Sequence, residues 1–405
     1  MSFESIIAGR ITFKSKRTFS KLIVRIAIVG IMLGLGVMIL SLAVVKGFKR
    51  EIREKIRGFD GDIKVVKYDL NTSYENSPFQ RNQRFEQQVT VNKRIKSLAP
   101  FANKPGIIKA SDDIEGVVLK GVDSTYNWDF IKSSLVAGNV LDFRNAAARK
   151  QILISQTTAN RLRLKVGDNI LMYFVQNPFR KRPFKVTGIF DTSVDEVDRT
   201  YVISDLSLVQ TLNDWQPDEI GGYEIKIADF DQLEMAGGYI NSILPIALKL
   251  NSITATYPNI FEWLMILDVN AQVMLILMVL VAVINMISAL LIMILERTSM
   301  IGILKAMGAG NWAIQKIFLF NAAYLIGVGL LLGNMFGLGI SWFQSATHFF
   351  KLDPASYYMT FIPIEINWSD VLLLNAGTMI VCLLVLIIPS MLISRISPVK
   401  AIRFK

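Results

Sequence analysis

This chain of 405 residues has one cysteine and one histidine. Cys382 alone forms no intrachain disulfide, so any part folded outside a membrane must rest on its own core. His348 alone supplies neither a cluster of metal ligands nor a base for a nucleophile elsewhere in the chain. The sequence has no GxxxxGK[ST] loop, no HExxH, no EF-hand loop and no CxxC. It reads as a non-catalytic chain with no nucleotide-binding loop of its own. Its long apolar stretches contain no acidic residue, and Arg25 and Asp268 stand only at their edges, which argues against an ion- or proton-coupled relay. The acidic run Asp195, Glu196, Asp198 reads as a solvated hairpin rather than as a metal or catalytic site.

Hydrophobic residues, in contrast, make up 52% of the chain, and they are concentrated. Residues 26–45, 269–295, 317–350 and 371–394 carry no acidic or basic side chain when His348 is counted as neutral. About 20 apolar residues suffice for a helix to cross the hydrocarbon core, and these runs are too long for barrel strands. The first begins after 25 residues and has no small-residue cleavage site near its end, so it reads as a retained span.

Lysine and arginine placement orients the spans. Six bases lie in 1–25, three in 296–316 and four in 395–405, whereas 347–370 holds only Lys351. The predicted order is therefore a cytoplasmic amphipathic helix over 1–25, a span at 26–46 and an extracytoplasmic domain at 47–268. A span at 269–295, a cytoplasmic segment at 296–316 and a span at 317–346 follow. An outer loop at 347–370, a span at 371–394 and a cytoplasmic tail at 395–405 complete it. The net charge of +11 resides in the cytoplasmic parts, since the large insert is nearly balanced. It is a topology signal matched to anionic inner-leaflet lipid, not a nucleic-acid patch.

The insert changes character. Residues 47–59 continue the first span as a charged helix. Strand patterns follow at 63–66, 106–109, 116–121, 151–155, 168–175, 184–190, 200–203 and 223–227. Helical patterns lie at 85–98, 156–164, 206–213 and 230–244. The fold class is thus an α-helical membrane protein with four transmembrane helices and a large α+β domain inserted between the first and second. The domain has a strand-rich middle at about 120–222 and flanks that pair into a second lobe. Residues 176–183, QNPFRKRP, read as a hairpin tip. Gly30 and Gly34 in the first span, and Gly329, Gly333 and Gly337 in the third, are spaced for close helix packing, with a partner in this chain or another.

The segment 296–310, ERTSMIGILKAMGAG, runs on directly from the second span. Ile301, Leu304 and Gly308 fall along one side of a short helix. Gly302 and Gly308 permit close approach of another surface, and Lys305 offers it a charge. The segment reads as a docking element for a partner that pushes on the spans.

ERTSMIGILKAMGAGNWAIQKIF resembles the signature of FtsX/MacB-type ABC transporter permeases. The N-terminal AGRITFKSKRTFSKLIVRIAIVGIMLGLGVMILSLAVVKGFKREIREKIRGFDGDI and the closing SPVKAIRF resemble the lipoprotein-releasing (Lol-type) branch. The resemblance implies a subunit in a bacterial inner membrane that releases lipoproteins to a periplasmic carrier. Its partners are then an ABC ATPase dimer, which holds ATP and magnesium, and a second permease subunit of the same or a related chain. MacB-type efflux and FtsX-like signalling are the alternatives within the same fold. Carried over residue by residue, ATPase coupling falls on Glu296, Arg297, Ile301, Gly302, Leu304, Lys305, Met307 and Gly308. An acyl-chain cavity falls on Leu40, Val44, Phe48, Trp263, Leu264 and Leu267, and a carrier contact on Pro178, Phe179, Arg180 and Pro183.

Overall fold

The computed structural model describes residues 18–69, 74–110, 113–144, 146–176, 178–353, 357 and 359–396. Of the amphipathic helix expected over 1–25, residues 1–17 lie outside the described residues and 18–25 belong to the long helix of the first span; most of the tail also lies outside. The chain forms two compact units: Met1–Lys49, Trp263–Lys351 and Phe361–Lys405 make one, Arg50–Glu262 and Leu352–Thr360 the other.

The first unit holds α1 (Thr18–Asp60, whose last turns belong to the second unit), α2 (Pro258–Glu296), α3 (Thr298–Ala306), α4 (Asn311–Thr347) and α5 (Trp368–Ser390). Four of them, all but α3, are long and apolar enough to cross a membrane. Each of these four helices starts before its apolar stretch, and the first two also run past its end, because backbone hydrogen bonding continues wherever capping and packing allow. Thus α2 begins at Pro258, and α1 continues through its charged turns until Gly61, whose φ of +69° suits a residue without Cβ. Asn367 caps the start of α5 by accepting from the Ser369 amide at 3.2 Å. His348 ends α4 in the left-handed region (φ 49°) and lies against the Phe361 ring at 4.0 Å.

The glycine stripes pack within this chain. A Cβ on Gly329, Gly333 or Gly337 meets Ile31, Leu35 or the Gly36 carbonyl of α1 at 2.8–3.0 Å, so α1 and α4 run parallel at close range. Gly30 faces Asn285 of α2 and Gly34 faces the Met278 carbonyl. Ser41 to Met274 (3.6 Å) and the Lys49–Asp268 ion pair continue that line antiparallel. Asn334 and Asn375 exchange hydrogen bonds of 2.8 and 3.0 Å between α4 and α5, and Lys46 pairs with Asp370 at 2.5 Å.

The inserted domain is built on β1 (Ile63–Lys67), β2 (Phe79–Gln80), β3 (Ile95–Ala110), β4 (Asp113–Val122), β5 (Leu135–Gly138) and β6 (Gln151–Ser155). These are followed by β7 (Asn169–Phe174), β8 (Arg180–Phe190), β9 (Tyr201–Asp205), β10 (Glu219–Ile220), β11 (Gly222–Ile227) and β12 (Leu248–Ser252). The main sheet runs β12-β1-β11-β3-β4-β9-β6-β8-β5, and β7 joins β8 back to β3. Strands β3-β4-β9-β6-β8-β7 therefore close into a ring, which leaves those strands no open edge along their paired lengths. Beyond the ring, the first half of β3 pairs with β11, which pairs with β1 and then β12.

Three sequence expectations change here. The helix expected at 85–98 is confined to Gln83–Val91, and β3 starts at Ile95. Pro100 and Pro105 argue against a strand. Each sits where β3 has a neighbour on one side only: Pro100 opposite Tyr223 just before the β4 pairing begins, Pro105 opposite Val118 between the β11 and β7 pairings. Asp195, Glu196 and Asp198 lie on the short helix Asp195–Thr200, not in a solvated hairpin, and Asp198 is buried. Its carboxylate accepts from the Thr192 amide and hydroxyl at 3.2 and 2.9 Å. Finally, the β7–β8 turn is shorter than 176–183, because Arg180 to Pro183 pair in β8 against Phe174 to Leu171.

Candidate functional site

The short helix α3, held between α2 and α4, is amphipathic in a way the sequence leaves ambiguous. Apolar residues occur on both of its sides: Ile301 and Leu304 on one, Ile303 and Met307 on the other. Ile301 and Gly302 are buried, and Met300, Leu304 and Ala309 pack against the core shared by the long helices. That side holds the segment in place and is inaccessible to an outside surface. The accessible side carries Ser299, Ile303, Ala306 and Met307, followed by Trp312. Ile303, Met307 and Trp312 are 52%, 71% and 56% exposed, an apolar surface ending a membrane bundle.

Lys305 is engaged inside the chain. Its ammonium donates to the carbonyls of Ile393, Ser394 and Ile396 at 2.7, 3.2 and 2.8 Å. Those carbonyls lie in and just beyond the 3-10 turn Met391–Arg395 that follows α5, where a helix end leaves acceptors unpaired. Desolvation lowers the Lys305 pKa below the usual lysine value. The lysine thus ties α3 to the end of α5 rather than presenting its charge outward.

Gly308 terminates α3. The Gly308 amide donates to the Lys305 carbonyl at 3.0 Å and the Ala309 amide to the Leu304 carbonyl at 2.9 Å, the paired bonds of a Schellman cap. Its φ is +93°, and an added Cβ meets nothing within 4 Å. Its glycine identity serves the backbone conformation, while its surroundings are open. Glu296 and Arg297, at the α2–α3 junction, are half-buried.

The other sequence-derived residues fall in two places. On α1, Phe48 lies seven residues beyond Ser41. On α2, Leu267 lies seven before Met274, so both extend the antiparallel seam defined by Ser41 and Met274. Leu264 is buried, Leu40, Val44, Phe48 and Leu267 are half-buried, and Trp263 is 37% exposed. At the β7–β8 turn, Pro178 and Phe179 are exposed, with the Phe179 ring tilted against that of Tyr173 at a centroid distance of 5.7 Å. Pro183 is also exposed, but within β8. Arg180 is turned to the domain: it pairs with Asp214 at 2.6 Å and donates to the carbonyls of Thr211 and Leu212. Sequence reasoning did not single out Ser299, Ile303 or Ala306. The i, i+4 spacing of Ser299, Ile303 and Met307 was the available signal, and the buried side offered an equal one.

Residues 26–243 match the model of the MacB-like periplasmic core domain, and residues 272–398 that of the FtsX-like permease C-terminal family. Along almost its whole length the chain is similar to the lipoprotein-releasing system transmembrane protein LolE of Haemophilus influenzae, 24% identical with 96% of each chain covered. It is likewise similar to LolC of Neisseria meningitidis serogroup B, 23% identical over 97% of this chain and 96% of that one. Among solved structures, the periplasmic region of MacB from Actinobacillus actinomycetemcomitans aligns with 52% of this chain and 97% of its own, at 16% identity and a TM-score of 0.36. With the two domain models in tandem, the first covering more than half of its length, the chain belongs to the FtsX/MacB-type ABC transporter permeases.

Proposed function

We propose that this protein is the permease subunit of a transporter that uses ATP hydrolysis on a separate ABC ATPase to release lipoproteins from the inner membrane to a periplasmic carrier. The observation that carries the reading is the exposed apolar side of α3, Ile303 and Met307, on a helix fixed to the bundle through Ile301 and Lys305. A push on that side is delivered to α2 and α5 together. The chain has no P-loop, so ATP and magnesium belong to the partner. The lysine and arginine distribution supports a cytoplasmic position for α3 and both termini, where ATP is available. The names of the full-length relatives, LolE and LolC, support lipoprotein as the substrate.

In this reading a second permease, the same or a related chain, completes the complex. The outer stretch of the α1–α2 seam, from Leu40 to Phe48 and from Trp263 to Leu267, receives acyl chains. The exposed Pro178 and Phe179 meet the carrier. The test is purification of the tagged chain from native membranes, followed by reconstitution with its ATPase. Co-purification of an ABC ATPase and ATP-dependent transfer of a lipoprotein to a soluble carrier are expected. Photo-crosslinkers at Val44 or Leu264 that capture no lipoprotein in an active complex refute the substrate assignment.

A further inference from the structure

Helices α1 and α2 each run without a break across the boundary between the two units, α1 at Lys49 and α2 at Glu262. Within the inserted domain their ends converge on one carboxylate. Asp60, the last residue of α1, is 3% exposed. The hydroxyl of Tyr257, the residue just before α2, donates to Asp60 Oδ2 at 2.5 Å. Lys64 of β1 pairs with the same oxygen at 2.7 Å. Lys120 of β4 lies 3.6 Å from Asp60 Oδ1, donates to the Phe59 carbonyl at 2.6 Å and pairs with Glu224 of β11 at 2.6 Å.

The group is charge-balanced: two carboxylates face two ammoniums, with Asp60, Lys120 and Glu224 buried and Lys64 half-buried at its edge. Burial works against an ionised Asp60, but the Lys64 and Lys120 charges and the Lys64 and Tyr257 hydrogen bonds hold its pKa at about 2. A backbone bond reinforces the join, as the Ile253 amide donates to the Asp62 carbonyl at 2.9 Å. Arg57 fixes Asp62 in turn through bonds of 2.5 and 3.0 Å. Phe59 is fully buried in the domain core, its ring 5.0 Å from that of Tyr201. Replacing such a balanced cluster by apolar groups can be neutral for stability, so stability alone does not account for it.

We infer that Asp60 is a positioning residue, a clasp that locks the outer ends of α1 and α2 to each other and to the β1-β4-β11 sheet, so that displacement of one helix moves the domain as a body. The transport readout rests on the permease reading; the clasp itself does not. Tyr257→Phe removes one hydroxyl and leaves the four charges in place. A hydrogen bond to a charged group is worth enough to lower the odds of the closed clasp about ten- to hundredfold.

The test uses the complete transporter in nanodiscs, with nitroxides at the exposed positions Glu54 and Glu262 in a Cys382→Ala background. Tyr257→Phe and Asp60→Asn are expected to broaden the distance distribution between the labels. ATP hydrolysis should stay within about twofold while lipoprotein released per ATP falls about tenfold. A wild-type-like distribution in both variants overturns the clasp. A broadened distribution with unchanged release per ATP overturns its part in coupling. If the wild-type complex releases no lipoprotein, the permease reading fails and the distance measurement still decides the clasp.

Discussion

Gly308 separates two physical explanations for the same residue. Glycine at the end of a docking helix serves either a close-approaching partner or a left-handed backbone. The structure favours the second: φ is +93°, the Schellman bonds run from Gly308 and Ala309 to Lys305 and Leu304, and a Cβ meets nothing within 4 Å. An L-residue in left-handed conformation costs about 1–2 kcal/mol, less for asparagine and more for a β-branched side chain. If the ATPase binds only the capped conformation, Gly308→Ala weakens binding about 5- to 30-fold, at tenfold per about 1.4 kcal/mol. Gly308→Asn weakens it by a smaller factor and Gly308→Val by a larger one. Titration of the ATPase onto the reconstituted permease measures the series. The expected order of affinity is Gly, Asn, Ala, Val. If loss follows size instead, with Ala close to wild type and Asn as damaging as Val, the backbone argument is refuted and Gly308 is a contact surface.

Ile303→Asp should weaken ATPase association without changing the melting temperature, whereas Ile301→Asp should prevent accumulation of folded protein, because it buries an unpaired charge among the long helices. Gly333→Leu forces a side chain against Leu35 and the Met32 carbonyl, at 2.9 and 3.0 Å from a Cβ, and should destabilise the bundle by about 1–3 kcal/mol. The single buried thiol, Cys382, reports this as maleimide labelling at a lower temperature than in wild type. Asp198 has a pKa pushed up to about 7 by burial, with Asp191 adding to the effect and the Thr192 hydrogen bonds opposing it. The unfolded chain ionises this group near 3.8, so its neutral folded form costs stability as pH rises from there to about 7, after which the penalty is constant. Asp198→Asn keeps an acceptor for Thr192 and should raise the melting temperature at pH 8 but not at pH 4; a gain independent of pH contradicts the burial argument.

The four spans, the insertion between the first and second, and most of the strands with alternating apolar residues are legible in the amino-acid sequence. Each of these depends on a local property: apolar length against bilayer thickness, charge at loop ends, or period-two alternation. The sequence also singled out the segment proposed here for docking, since a patterned stretch too short for a domain stands between two spans. Tertiary structure decided which side of that segment is accessible. Ile301 and Ile303 are the same residue type two positions apart, and only the packing of the long helices buries one and exposes the other. Lys305 looked available because its acceptors, the carbonyls after α5, are nearly ninety residues away. The glycine stripes announced close packing without naming the partner, and the α1–α4 contacts supplied it. Closure of the ring β3-β4-β9-β6-β8-β7, tolerance of Pro100 and Pro105 in β3, and convergence of Asp60, Lys64, Lys120, Glu224 and Tyr257 have no local signature. Each depends on residues far apart in the chain meeting at one place, where burial turns ordinary charged side chains into a joint.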